Sequence, residues 1–304
     1  MVTYLPNKNS LWKLIPAFGA VYLIWGSTYM AIMIALKCFP PFTLLGLRFL
    51  IAGLLLLGCC KLNGEEIPPM RNIIRISFTG ILLLFFGSGS VIWVEQHIDS
   101  SHTAIIWATL PIWFVLLNKK LWPAYFLNIK SIVGPVVGFI GVILLIGNGK
   151  EFDPNNNKVL SYIIAFCGTI IYAAGSLYMK YKPVESSPIL IASVQLISAG
   201  LLSLIVSLML HEPQSVNVGN ITSDSILSLI YLIIMGSMIA YLSYVWLISR
   251  ISPVVVGTYT YVNPVIAVIL GRAVLFEPVT SLQVISLFLI LSGVSLSNIY
   301  KPKL

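Results

Sequence analysis

Charged residues are scarce in this chain. Asp, Glu, Lys and Arg make up only 9% of its 304 residues, whereas hydrophobic residues make up 58% and the mean hydropathy is +0.95. A soluble globular chain has about 25% charged residues, and a soluble fold could not bury this much apolar surface. These values exclude a soluble enzyme, a soluble binding module and a disordered chain, and they predict an integral membrane protein.

The sequence also lacks the alternation of polar and apolar residues that is typical of membrane β-barrels. Its apolar residues instead form blocks of about 20 residues, the length at which a helix crosses about 30 Å of hydrocarbon. We therefore predict an all-α integral membrane fold with ten transmembrane helices. The blocks lie at 14–36, 41–60, 73–95, 102–118, 127–147, 159–180, 188–210, 225–248, 254–273 and 281–299.

Cysteine and histidine are rare as well. The four cysteines, Cys38, Cys59, Cys60 and Cys167, match no metal-binding or redox motif, and the three histidines lie at the ends of apolar blocks. The chain has no HExxH motif and no glycine-rich phosphate-binding loop. We therefore expect no catalytic residue, no metal and no cofactor, and a protein that is not an enzyme.

The net charge of +8 comes from basic residues that are scattered between the apolar blocks. This pattern favours topology signals over a nucleic-acid partner. With the N-terminus in the cytoplasm, thirteen Lys and Arg residues near the block ends fall on the cytoplasmic side and four on the other side. The bias predicts that both termini are cytoplasmic, which requires an even number of spans.

The two halves of the chain share short motifs in the same order. We predict a first repeat at 14–147 and a second at 159–299, each with five helices. Because five is odd, the second repeat enters the membrane from the opposite side, an arrangement typical of secondary transporters. The shared motifs are Gly-Ser at 26–27 and 175–176, Ala-Gly-Leu-Leu at 52–55 and 199–202, Gly-Ser at 87–88 and 236–237, Pro111 and Pro264, and Gly-Val at 141–142 and 293–294.

Several segments, in order along the chain, carry a family resemblance. They are 25–29 (WGSTY), Pro40-Pro41 followed by 48–50 (RFL), and 259–268 (YTYVNPVIAV) followed by Glu277. Together they resemble the EamA-type transporters of the drug/metabolite transporter (DMT) superfamily. The resemblance implies ten helices, two EamA repeats, a location in the bacterial inner membrane, and transport of small metabolites, often by efflux.

Arg48 is a charged residue well inside a predicted span. A charge within the bilayer is costly, so we expect Arg48 to face protein or water and to have a partner. It would bind a carboxylate of the solute, or else form a structural ion pair or extend to the membrane surface. Glu95 ends the third span, where it would pair with Arg48 or take up a proton, or else face water.

Aromatic and small polar residues recur within the spans. Aromatic rings with a polar tip suit an amphipathic organic solute, although the same residues also serve helix packing and interface anchoring. Pro111 and Pro264 are predicted hinges, because proline removes a helical hydrogen bond. With Arg48 and Glu95, the candidate residues of the solute pathway are Trp25, Thr28, Trp107, Tyr172, Gln195, Tyr241, Tyr259 and Asn263.

These features together predict a secondary transporter that exports small organic metabolites, such as amino acids, by alternating access. The alternatives are an uncoupled facilitator of another solute class (nucleobase, sugar or drug), a membrane sensor or scaffold, and an intramembrane enzyme. The expected partners are a small-molecule solute and the lipid bilayer, and the sequence is compatible with both a monomer and a homodimer.

Overall fold

The chain folds into a bundle of long helices. A computed structural model describes residues 8–119, 122, 129–146 and 157–298, and within these ranges it contains helices and turns but no strand. The all-α prediction is therefore confirmed. The helices are α1 (Trp12–Ala35), α2 (Pro41–Leu62), α3 (Met70–Val94), α4 (Ser100–Leu116), α5 (Ile129–Ile146), α6 (Asn157–Tyr181), α7 (Pro188–Met209), α8 (Ser223–Arg250), α9 (Pro253–Val274) and α10 (Ser281–Asn298).

Among the described helices, seven are long and apolar enough to cross a membrane: α1, α2, α3, α6, α7, α8 and α9. The other three contain shorter apolar stretches, at Ser100–Leu116, Val133–Leu145 and Ser281–Gly293. The helix ends agree with the hydropathy blocks to within a few residues, and the predicted ends at 127, 147 and 299 lie outside the described residues. Seven helices thus meet the criterion for a span, and the count of ten stays a prediction.

The outer faces of the bundle are apolar. Leu54 and Leu55 on α2 are about half exposed, as are Leu201 and Ile205 on α7. A continuous exposed surface of such side chains marks a membrane contact rather than a surface in water. These faces therefore fit against the lipid bilayer.

The helices α2 and α7 form a close antiparallel pair with extensive contact along their length. A Cβ atom on Gly53 would lie 2.8 Å from the backbone nitrogen of Ile197, and one on Gly200 would lie 2.6 Å from that of Leu50. Only a residue without a side chain fits at such a crossing, as is common where membrane helices pack. Other extensive pairs are α5 with α10, α3 with α6, and α1 with α8.

Carboxylates hold the N-terminal ends of α2 and α7. Glu212, which follows α7, accepts hydrogen bonds from the backbone nitrogens of Phe42 (3.2 Å) and Thr43 (2.7 Å). Glu65, which follows α2, accepts a hydrogen bond from the hydroxyl of Ser187. The hydroxyl oxygen of Ser187 in turn accepts a hydrogen bond from the backbone nitrogen of Leu190 (3.2 Å). Negative charge is favourable at a helix N-terminus, where backbone N–H groups are unpaired. Each helix is therefore capped from the segment that follows its partner.

Several helices are locally irregular. α3 and α8 contain π-helical turns at Ile81–Ser88 and Leu232–Ala240, and each turn includes one of the repeated Gly-Ser motifs. α4 is interrupted by a turn at residues 108–109, directly before the short helix that contains Pro111. In α9 the interruption lies at residues 257–258, and Pro264 stands inside the uninterrupted helix that follows. Pro111 is thus next to a break and Pro264 is not, and their role as hinges stays a prediction.

Candidate solute cavity

A narrow cavity, partly open to solvent, lies in the interior of the bundle, and its empty space is about 450 Å³ when the open part is included. Six helices form its wall, namely α1, α2, α3, α4, α6 and α9. Most of the candidate pathway residues reach this cavity, although they come from distant parts of the chain. Those that line it are Trp25, Thr28, Arg48, Trp107, Tyr172, Tyr259 and Asn263.

Four further residues of the wall were not among the candidates: Tyr29, Ile32, Ser88 and Val91. Tyr29 and Ile32 follow Trp25 at helical spacings of four and seven residues, so the three share one face of α1. Ser88 and Val91 are three residues apart and share one face of α3 in the same way. Helical periodicity measured from Trp25 is therefore the signal that would have found the first pair.

Arg48 is the cation of the cavity wall. Its side chain is 5% exposed, and its Nε atom donates a hydrogen bond to the hydroxyl of Ser237 (2.8 Å) on α8. Gly236 leaves room for the guanidinium, because a Cβ atom there would lie 2.8 Å from Nη2. Within the described residues no carboxylate forms an ion pair with Arg48. The guanidinium therefore brings a positive charge to the cavity and keeps N–H groups for another acceptor.

Aromatic rings form another part of the cavity wall. The ring of Trp25 lies 4.9 Å from that of Tyr259, edge to face, and 5.3 Å from that of Tyr244, measured between centroids. Tyr244 is fully buried behind the wall, 5.5 Å from the ring of Tyr172, and its hydroxyl is 2.6 Å from that of Ser176. Such a cluster of packed rings provides an apolar surface for part of a solute.

Two polar atoms of the wall are buried, and neither has a close hydrogen-bond partner among the described residues. They are the indole Nε1 of Trp107 and the hydroxyl of Tyr172, which faces the hydroxyls of Tyr244 and Tyr259; the rings of Trp107 and Tyr172 lie 5.3 Å apart. Leaving such a group unpaired costs about 1–3 kcal/mol, so unpaired groups are rare and require an explanation. A bound solute with hydrogen-bonding groups would supply the missing partners.

Asn263 and Thr28 have their hydrogen bonds within the protein. With its amide nitrogen directed at carbonyl oxygens, Asn263 donates to Tyr22 (2.9 Å) and to Tyr259 (3.1 Å) and so ties α9 to α1. The hydroxyl of Thr28 donates to the carbonyl of Trp25 (2.7 Å). Both residues line the cavity, and the amide of Asn263 also satisfies backbone groups close to Pro264.

Glu95, Gln195 and Tyr241 are candidates that do not line the cavity. Glu95 is 3% exposed and, among the described residues, neither of its oxygens has a hydrogen-bond partner, although it interacts electrostatically with Arg48 and Glu277. The alternative in which Glu95 faces water is therefore wrong. Gln195 and Tyr241 are buried and bonded to each other on the far side of Tyr244.

Glu277 closes the connection between α9 and α10 onto the start of α4. Its carboxylate accepts hydrogen bonds from the backbone nitrogen (2.9 Å) and the hydroxyl (2.6 Å) of Ser100. The neighbouring Ser101 accepts a hydrogen bond from Nε2 of Gln283 on α10 (2.7 Å). Glu277 thus caps the N-terminus of α4 and does not line the cavity. In the described parts of the chain no three His, Cys, Asp or Glu side chains come together to hold a metal.

The fold and the cavity define a class: an α-helical membrane protein with a partly open cavity inside its helix bundle. The sequence profile of the EamA-like transporter family matches residues 12–147 and again residues 159–299. The chain belongs to this family, and it is a membrane transporter.

Individual relatives agree with that assignment. The chain is 32% identical over 293 residues to the inner membrane transporter YedA of Escherichia coli K12, a match that covers 95% of this chain and 92% of YedA. It is 26% identical to the protein PecM of Dickeya dadantii, which covers 89% of this chain and 87% of PecM. A crystal structure with 20% identity has a TM-score of 0.69 and covers 94% of this chain and 96% of its own, which shows a shared fold.

Proposed function

We propose that this protein is a secondary transporter that exports a small organic solute, such as an amino acid, by alternating access. It would lie in a bacterial inner membrane with both termini in the cytoplasm, as the excess of Lys and Arg on that side favours. The observation that carries the proposal is the central cavity, where Arg48 stands among aromatic rings without a carboxylate bound to it in the described part of the chain.

The helix packing supports two inverted five-helix repeats, at 14–147 and 159–299. α2 and α7 both have 22 residues, both begin at a proline, and both contain the repeated Ala-Gly-Leu-Leu motif. If each helix of one half is matched to the corresponding helix of the other, the contact α3–α6 corresponds to the contact α8–α1. The contacts α2–α7 and α5–α10 each join two corresponding helices. Such a relation produces two bundles that can rock around a site between them.

Arg48 is proposed to bind a carboxylate of the solute. A guanidinium presents a planar fork of N–H groups that matches a carboxylate, and a hydrogen bond to a charged group contributes about 1.5–3 kcal/mol. The rings of Trp25 and Tyr259 would contact the apolar part of the same solute, while Tyr172 and Trp107 would find hydrogen-bond partners on it. An amino acid with an apolar side chain combines these features.

Counterflow in proteoliposomes tests this proposal. Vesicles that contain the purified chain are preloaded in turn with pooled amino acids, nucleobases or sugars, and exchange of labelled solute is measured. We expect exchange with the amino-acid pool. Arg48→Gln should raise the half-saturating concentration of the solute by about 10- to 100-fold. Arg250→Gln is the matched control, because Arg250 is exposed at the end of α8.

Three outcomes would each contradict part of the proposal. Unchanged counterflow in Arg48→Gln would remove the solute-binding role of Arg48. Exchange that never produces accumulation under an imposed proton or sodium gradient would favour the uncoupled facilitator. Exchange with the nucleobase or sugar pool alone would overturn the amino-acid class.

A further inference from the structure

A second pocket, of about 260 Å³ including its open part, lies apart from the central cavity and shares none of its lining residues. It is bounded by the first turns of α3 and by the adjoining ends of α6 and α7, and two of its lining residues are the cations Arg75 and Lys182. The guanidinium of Arg75 donates to the carbonyl of Lys182 (3.2 Å). In the described residues neither side chain has a carboxylate in an ion pair. The wall of this mainly apolar pocket therefore includes two cations without a bound carboxylate in the described part of the chain.

A short chain of hydrogen bonds leads inward from this pocket. Thr79, on the pocket wall, accepts a hydrogen bond from Nε2 of Gln195 (2.8 Å). The other end of that amide, Oε1, accepts a hydrogen bond from the hydroxyl of Tyr241 (2.8 Å). Gln195 is 0% exposed and Tyr241 2% exposed, and Gln195 also contacts the sulfur of Met179 on the pocket wall, so the two side chains lie in the interior behind that wall.

Tyr241 and the central cavity are separated by one aromatic ring. The ring of Tyr241 stacks on that of Tyr244 at 6.3 Å between centroids. Tyr244 in turn contacts Trp25 and Tyr172, which line the central cavity. Gln195, Tyr241 and Tyr244 therefore form a partition between two spaces, each of which carries positive charge.

We propose that the second pocket is the cytoplasmic vestibule for an anionic, carboxylate-bearing solute, and that Gln195 and Tyr241 form the gate between it and the central cavity. The inference rests on the proposed function, including its orientation in the membrane. Arg75 and Lys182 would attract the anion, and Arg48 would bind it after the gate opens. The gate is held by neutral hydrogen bonds, whose net strength is small because solvent or solute can replace them.

A basic pocket at this depth also has the chemistry to hold the phosphate of an anionic lipid. The link through Thr79 and Gln195 toward the cavity favours the solute, because a structural lipid needs no route inward. The experiment below treats the lipid as an outcome that would overturn the inference.

Access from the vestibule can be measured without knowing the solute. In a variant with its four native cysteines replaced, Thr28→Cys places a thiol on the cavity wall. The probes are two membrane-impermeant thiol reagents, the anionic methanethiosulfonate ethylsulfonate and the cationic methanethiosulfonate ethyltrimethylammonium. Each is added to inside-out vesicles, so that it reaches the protein from the cytoplasmic side, and in parallel to right-side-out vesicles.

We expect Tyr241→Phe and Gln195→Ala each to raise the rate of labelling from the cytoplasmic side alone. The double variant Arg75→Gln/Lys182→Gln should lower the rate ratio of the anionic to the cationic reagent by about tenfold, as electrostatic attraction in a cleft predicts. Ser203→Ala, a buried polar change on α7 away from the partition, is the control for gating, and the exposed Arg71→Gln is the control for charge. Tyr241→Phe removes only one oxygen, so it tests the gate even if Gln195→Ala misfolds.

Unchanged labelling in both gate variants, or an equal rise from both sides, would overturn the gate. An unchanged charge ratio, together with loss of copurifying phosphatidylglycerol from the double variant, would identify the pocket as a lipid site. These results are independent of transport: normal counterflow with no gating effect removes this inference alone, whereas normal gating without counterflow removes the proposed function.

Discussion

The paired helices α2 and α7 are built alike and used differently. Each has 22 residues and begins at a proline, and a carboxylate from the segment that follows the other helix supports its N-terminus, directly in α2 and through Ser187 in α7. Gly53 and Gly200 bring them together at equivalent positions of the repeated motif. The frame of the fold is therefore symmetric.

The chemistry on that frame is not symmetric. Four residues before the repeated Ala-Gly stands Arg48 in α2 and Gln195 in α7. Arg48 reaches the central cavity and keeps N–H groups for a solute, whereas Gln195 is bonded to Thr79 and Tyr241 within a closed partition. The comparison teaches that an internal repeat can keep its packing residues while a single position differs in charge and environment between the two halves.

Exchanging the two side chains is the strongest test of this comparison. We expect the double variant Arg48→Gln/Gln195→Arg to lack counterflow, because the charge would stand in the partition instead of the cavity. The buried, unpaired Arg at 195 should also lower the free energy of unfolding by about 2.5–3.5 kcal/mol. Counterflow and thermal unfolding in detergent measure the two effects, with Arg48→Gln alone as the control. Wild-type exchange in the double variant would show that the two positions are equivalent.

The packing symmetry is tested at the helix crossing. Gly200→Ala would place a methyl group 2.6 Å from the backbone nitrogen of Leu50, so the helices must move apart. We expect a loss of about 1–3 kcal/mol in the free energy of unfolding. On α2, Gly58 has open space around it, so Gly58→Ala should stabilise the helix by about 0.5–1 kcal/mol. Equal melting temperatures for the two variants would contradict the close approach.

Two tyrosines sharpen the difference between the cavity and the partition. Tyr241→Phe leaves Oε1 of Gln195 without its donor and should cost about 1–3 kcal/mol of stability. Tyr172→Phe removes a hydroxyl that faces those of Tyr244 and Tyr259 but has no close partner among the described residues, so it should cost less stability than Tyr241→Phe and weaken solute binding by a few-fold. Thermal unfolding and the half-saturating concentration for counterflow separate the two variants. A loss of stability in Tyr172→Phe as large as that in Tyr241→Phe would mean that its hydroxyl is firmly bonded within the protein.

The smallest expected effects concern the helix caps. Glu212→Ala should destabilise the protein by about 0.5–2 kcal/mol, because Glu212 binds two backbone N–H groups of α2 directly. Glu65→Ala should cost less, since Glu65 acts on α7 through the hydroxyl of Ser187. The exposed Glu66→Ala is the control, and melting temperatures measure all three. A larger effect at Glu65 than at Glu212 would reverse this ranking.

Much of the site could be predicted because aromatic and charged residues are conspicuous within apolar spans. Trp25, Tyr172 and Tyr259 were predicted on that ground, and they meet at the cavity. Ile32 and Val91 line the same cavity. They could not be predicted, because aliphatic residues in a membrane helix face lipid, protein or solute alike. Gln195 and Tyr241 were predicted on the same ground as the aromatic and charged residues but do not line the cavity. Their polar groups instead form a hydrogen bond to each other between α7 and α8.

The sequence by itself determined the class of protein, the helical segments and the internal repeat, because hydropathy, proline and repeated glycine motifs act over short stretches of chain. Only the tertiary structure decided that Arg48 reaches an open cavity while the corresponding Gln195 is held in a partition. The physical reason is that the environment of a buried polar group depends on the helix packed opposite it. Gly236 and Ser237 leave space and an acceptor for Arg48, whereas Thr79 and Tyr241 fill the space around Gln195.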